Sequence, residues 1–199
     1  MSAVFETIMI MNNSFSSRLI KGKEAEDRVA QFVSHYGFSV DCIGPIGNER
    51  IPMSYFRDKT GALVKQKSPD LTIERAGWPA ITIEVKNKSL VRGEWWIDVS
   101  RLHYIHKWSQ LKQRLVLWVF ENQSHNRDLI CASTGKLLDS YTTYNPNSKN
   151  YDTGELQPTY LYAQSVFVPL ERVLTAGLEC LQVSYNMYLP DSDTGELLI

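Results

Sequence analysis

Asp70, Glu84 and Lys86 are the side chains whose types and spacing best support chemistry. Pro69-Asp70-Leu71-Thr72-Ile73-Glu74 alternates strictly, with Leu71 and Ile73 on one side and Asp70, Thr72 and Glu74 on the other. Ile81-Thr82-Ile83-Glu84-Val85-Lys86 alternates in the same way, and Thr82, Glu84 and Lys86 share its polar side. A hairpin closed by residues 75–79 sets Thr72 opposite Thr82 and Asp70 opposite Glu84. Carboxylates so placed repel by about 3 kcal/mol at roughly 5 Å and an effective dielectric near 20. Lys86 offsets part of this, and a divalent cation held by hard oxygen ligands would offset the rest. The chemistry to expect is that of a metal site with a lysine beside it.

A further carboxylate comes from upstream. Residues 22–36 read as a helix, with Ala25, Val29, Phe32, Val33 and Tyr36 at helical spacing and Gly37 as its stop signal. Glu24 falls on the polar face with Arg28, Gln31 and His35, whereas Glu26 sits at the edge of the apolar stripe. A charge there needs a partner or a function, and the metal site, directly or through water, is one candidate.

The remaining elements must position these groups. Phe38–Ile43 reads as a short strand, and 49–67 as an irregular insertion holding a hairpin that turns at 58–61. Asp70–Glu74 and Ala80–Lys86 are clearer strands. Val99–Lys112 reads as a helix with Leu102, Tyr104, Ile105, Trp108 and Leu111 along one broad stripe, capped by Asp98 or Ser100. Leu115–Phe120 is then a buried strand. The order helix-strand-strand-strand-helix-strand predicts an α/β fold with a mixed sheet flanked by helices. Further on, Leu129–Cys131 and Tyr160–Val168 read as strands, and Pro169 opens a helix running to about Cys180. Asp-Thr-Gly-Glu-Leu, at 152–156 and 193–197, and the related Ser133–Leu137 read as recurrent turns. Gly135-Lys136 lacks the upstream glycine of a phosphate-binding loop.

The residues quoted above resemble the PD-(D/E)xK nuclease superfamily. The likeness lies in Pro69-Asp70, a thirteen-residue gap and Glu84-Val85-Lys86, preceded by Lys21-Gly22-Lys23-Glu24-Ala25-Glu26. The helix opening is most similar to that of Holliday-junction resolvases and related small nucleases. The resemblance covers about 21–120, and the long stretch 44–68 departs from the resolvase pattern. It implies a restriction-endonuclease-like core and Mg²⁺, with Mn²⁺ as a substitute, bound by Asp70, Glu84 and the Val85 carbonyl. Lys86 would then position or deprotonate water or stabilise the charged transition state, and Glu26 would join the metal shell. The reaction implied is hydrolysis of DNA phosphodiester bonds. A non-catalytic nucleic-acid-binding module on the same fold and an RNA-cleaving member are the alternatives.

Charge agrees with a polyanionic partner. The chain's net charge is −1, yet residues 1–114 carry +5 and residues 115–199 carry −6. Segment 86–114 alone holds seven bases, including Arg101 and Lys112, against Glu94 and Asp98. Candidate phosphate contacts are Lys65, Lys67, Lys88, Arg92, Lys107 and Arg114. Trp95-Trp96 either stacks on bases or packs in the core. His103 and His106 lie one helical turn apart without an acidic or cysteine partner that would argue for metal ligation. Three scattered cysteines without a C-x-x-C pair predict reduced thiols and a cytoplasmic protein, and no apolar run is long enough for a membrane helix. The expected organisation is a single domain over 1–199, with a nuclease core at 21–120 and a C-terminal elaboration at 121–199. That elaboration is a candidate dimer interface, because cutting two strands with a symmetric homodimer supplies two sites.

Overall fold

Residues 81–88 alternate apolar and polar, yet the first five are buried on both faces, so the strand needs cover on both sides. The computed structural model describes residues 20–42, 55–57, 63–65, 69–88, 90–122, 128–150 and 154–181. In chain order they form α1 (20–35), β1 (Ser39–Cys42), β2 (Tyr55–Arg57), β3 (Leu63–Lys65), β4 (Leu71–Glu74) and β5 (Ile81–Lys88). Next come β6 (Glu94–Asp98), α2 (Val99–Lys112), β7 (Leu115–Asn122), β8 (Leu129–Ser133) and α3 (Thr134–Asp139). The last elements are β9 (Thr143–Asn145), β10 (Thr159–Ala163), β11 (Val168–Pro169) and α4 (Leu170–Ala176).

The main sheet runs β1-β4-β5-β7-β8-β11. Only the central β5–β7 pair is parallel; β1–β4, β4–β5, β7–β8 and β8–β11 are antiparallel. A hairpin cannot join parallel neighbours, so the chain crosses over through β6 and α2. This is a mixed α/β fold, as the sequence predicts. The register of β4 on β5 also follows the sequence, with Thr72 opposite Thr82. The 49–67 hairpin pairs Phe56 with Val64, while its turn lies outside the described residues.

Side-chain alternation on β5 sorts two cores. Ile81, Ile83 and Val85 join Ala25, Val29 and Val33 of α1, together with Leu117, Val119 and, from α4, Leu170, Val173 and Leu174. On the other face Trp118 and Phe120 of β7 pack with Leu102 and Ile105 of α2, and with Trp95, Ala132 and Tyr162. Gly37 ends α1 at φ 80°, a conformation that favours glycine. No helix among the described residues is long and apolar enough to cross a membrane.

Several local expectations change. The α2 boundaries match, but its buried residues are Arg101, Leu102, Ile105 and Ser109, whereas Leu111 is exposed. The stripe is thus rotated toward the sheet and includes a charge. Ser133–Leu137 is not a turn: Ser133 accepts a hydrogen bond from the Lys136 N–H and caps α3. Trp95-Trp96 belongs to β6, which pairs with β10; Trp95 is fully buried against Phe120 and Phe167. The strand expected over 160–168 is split by a single 3₁₀ turn at Gln164–Val166. The last helix stops at Ala176, because Gly177 adopts φ 93°.

Asp98 closes β6 and caps α2, its carboxylate accepting the Arg101 N–H at 2.7 Å and a further bond from Gln157. Asp98→Ala is expected to lower folding stability by about 1–2 kcal/mol. Urea unfolding measures this, and a midpoint equal to that of the parent protein would contradict the capping role.

Candidate active site

Asp70 stands at the start of the β4 ladder and grips β5 on both sides of Glu84. Its N–H donates to the Ile83 carbonyl at 2.9 Å, and its Oδ2 accepts the Val85 N–H at 2.8 Å. Pro69, which has no N–H, stands where the ladder begins and needs no donor. Successive residues of a strand bond to opposite edges, with one residue's N–H and C=O leaving on the same edge. The Val85 carbonyl therefore opens on the edge that β4 leaves free, beside Asp70. The Asp70 side chain is buried on the same sheet face as Thr72, which accepts from Arg114 Nη1 at 3.3 Å.

Glu84 is 2% exposed, and its charge is met by two cations. Arg101 of α2 forks onto the carboxylate, Nε to Oε1 at 3.0 Å and Nη2 to Oε2 at 2.6 Å. Lys86 Nζ reaches Oε1 at 2.5 Å and lies 5.3 Å over the Trp118 ring. Burial opposes ionisation of Glu84, but Lys86 and Arg101 outweigh it and hold the carboxyl down at about 2. The same pairing keeps the Arg101 guanidinium charged against its own burial. The repulsion expected between Asp70 and Glu84 is thus met by two cations of the protein, Arg101 as well as the Lys86 that the sequence offered.

Arg101 was legible in the sequence only as one base among seven. Its position relative to Leu102, Ile105 and Ser109 does carry a signal, since it falls on the stripe that faces the sheet. A charge there demands a counter-ion, the same physical reason that singles out Glu26.

The other expected site residues are dispersed. Glu26 rises from α1, which covers the opposite face of the sheet, and Lys23 approaches it at 3.7 Å. Lys88 continues the Glu84–Lys86 face and donates to the Trp96 carbonyl at 2.8 Å. Burial, and then Lys86, lower its ammonium to about 8. Arg92 is exposed in a left-handed turn, φ 54°, and Lys107 is exposed on α2. Lys65 pairs with Tyr55 in the β2–β3 hairpin, and Lys67 lies outside the described residues. Among the described residues, no three His, Cys, Asp or Glu side chains gather in a way that could hold a metal. The oxygen donors at hand are two carboxylates and one main-chain carbonyl.

A second fork, with a partly exposed arginine on a buried carboxylate, does not follow from the sequence. Arg28 of α1 donates to Glu121 at the end of β7, Nε to Oε1 at 2.5 Å and Nη2 to Oε2 at 2.6 Å. Glu121 is 1% exposed, and Asn87 Nδ2 donates to the Lys21 carbonyl nearby at 2.9 Å.

The depressed Glu84 value sets a pH dependence. Between about 4.5 and 2 the unfolded chain takes up this proton while the folded protein does not, so stability falls as pH drops through that window. The loss is on the order of 3 kcal/mol by pH 2. Denaturant unfolding across this range is expected to show the loss in the parent protein and a smaller one in Glu84→Gln. Equal slopes in both proteins would contradict the assignment.

The chain matches no protein-family model and no curated protein. In fold it is similar to Archaeoglobus fulgidus Hjc, a Holliday junction resolvase from an archaeal hyperthermophile. The two share 12% sequence identity at a TM-score of 0.48, over 77% of this chain and 99% of that one.

Proposed function

We propose that the chain is a metal-dependent endonuclease that hydrolyses DNA phosphodiester bonds. The observation that carries the reading is the grouping of Asp70, Glu84 and Lys86 on one sheet face around the open edge at Val85. The donor set fits a hard divalent cation: two carboxylates and a main-chain carbonyl, all oxygen, with Glu84 ionised at neutral pH. Asp70, Glu84 and the Val85 carbonyl would hold Mg²⁺ or Mn²⁺. When bound, the cation lowers the pKa of water and offsets charge that develops on the phosphate.

The protein's own groups do the remaining work. Lys86, steered by Glu84 and the Trp118 ring, presents an ammonium that orients the attacking water or balances the phosphate's growing negative charge. Asp70 fixes the edge geometry through the Val85 N–H. Glu26, carried by the helix on the other face, is assigned a water-mediated role only. Arg92, Lys107 and Arg114, with Lys65 and Lys67, are the proposed phosphate contacts; Lys88 joins them by releasing the Trp96 carbonyl. A homodimer would give one site per strand. The closed Glu84–Arg101 pair favours the second reading, a nucleic-acid-binding module that does not cut.

Nicking of supercoiled plasmid in millimolar Mg²⁺ tests this. Asp70→Asn and Lys86→Met are expected to lower the rate by at least about 100-fold while leaving DNA binding and its salt dependence intact. Cleavage that survives excess EDTA, or near-parent rates in both variants, would overturn the reading. DNA binding without nicking would establish the non-catalytic one.

A further inference from the structure

Asp70 and Glu84 bring two negative charges to this face against Lys86 and Arg101, with Lys88 beside Lys86 and Asp98 near Lys88, so the face carries no net negative charge as it stands. Adding a divalent cation would leave the face with an excess of buried positive charge, which low-dielectric surroundings penalise. Arg101 also occupies both Glu84 oxygens. A cation that takes Glu84 lies against the Arg101 guanidinium unless Arg101 withdraws, and a withdrawn guanidinium needs another anion.

Resting on the nuclease reading above, we propose that Arg101 is an exchangeable counter-ion. It holds Glu84 in the free protein and passes to a phosphate oxygen of the nucleic acid when the cation takes Glu84. The local structure suits such a transfer. The Arg101 backbone is fixed at the start of α2 by the Asp98 cap, so the side chain swings from an anchored base. Its guanidinium lies 5.6 Å over the Tyr104 ring, an apolar surface along which a planar cation can move. The fork that fits a carboxylate also fits a phosphate. Metal and nucleic acid then bind cooperatively, and the free protein binds metal weakly.

Calorimetric titration with Ca²⁺, with and without duplex DNA, tests the exchange. In the parent protein DNA is expected to tighten Ca²⁺ binding by about tenfold or more. Arg101→Gln should bind Ca²⁺ about tenfold more tightly than the parent without DNA, and the further gain from DNA should shrink to about twofold. The sign separates this from a merely structural role, because a disrupted site binds metal less tightly. Arg101→Gln binding Ca²⁺ no more tightly than the parent would overturn the exchange alone. No Ca²⁺ binding by either protein, with or without DNA, would overturn the metal reading as well. Should the variant fail to fold, the parent protein decides. Its Arg101 Nε–H resonance is expected to shift when Ca²⁺ and DNA are added together, and an unmoved resonance would overturn the proposal.

Discussion

An ionised carboxylate at position 84, on a strand covered on both faces, has to be neutralised from within the protein. Much of the rest follows from that requirement. The central strand of a mixed sheet loses water on both faces, so Glu84 cannot rely on solvent. Lys86, two residues along the same face, supplies one cation, but it is itself partly exposed. The fixed and buried counter-charge comes from Arg101, and its arrival requires α2 to start where it does. Asp98 sets that start by ending β6 and capping the helix in the same residue. The crossover that parallel pairing of β5 and β7 imposes is therefore also what delivers the cation to the carboxylate.

The opposite face repeats the solution with different residues. Arg28, partly exposed, forks onto the buried Glu121 and ties α1 to the end of β7 as Arg101 ties α2 to β5. Apolar contact alone would let either helix slide along the sheet by a fraction of a turn. A bidentate pair with both carboxylate oxygens engaged admits one position. Buried ion pairs of this kind contribute little net stability compared with apolar side chains of the same volume, whereas losing one partner is costly. Their effect in this fold is to fix the helices on the sheet, and at Glu84 to hold the carboxylate in its charged form.

The parts of this arrangement that depend on local periodicity were legible in the sequence. Strict alternation and a five-residue loop fixed Thr72 opposite Thr82, and the caps and breakers bounded α2 at Val99 and Lys112. Elements defined by distant partners were not. β6 exists because β10 pairs with it across some sixty residues, and nothing in Glu94–Asp98 alone announces that pairing. Ser133–Leu137 reads as a turn in the sequence, but burial of Leu137 accompanies a short helix instead. Asp70, Glu84 and Lys86 stand out in the sequence through their alternation and motif, and the fold brings them together on one sheet face. Arg101 does not stand out in the sequence, because a helix charge reads as surface charge and the broad apolar stripe runs through the exposed Leu111. Placing the stripe on Leu102 and Ile105 would have put Arg101 against the sheet and demanded its partner.

Pairwise coupling between Glu84 and Arg101 tests the central claim most directly. A double-mutant cycle combining Glu84→Gln and Arg101→Gln, read by denaturant unfolding at neutral pH, isolates their interaction from the cost of each truncation. The account predicts that each single variant is strongly destabilised and that the double variant recovers much of the loss, with a coupling of at least about 2 kcal/mol. Additive losses, with a coupling below about 0.5 kcal/mol, would mean that the two groups do not depend on one another and would contradict the account.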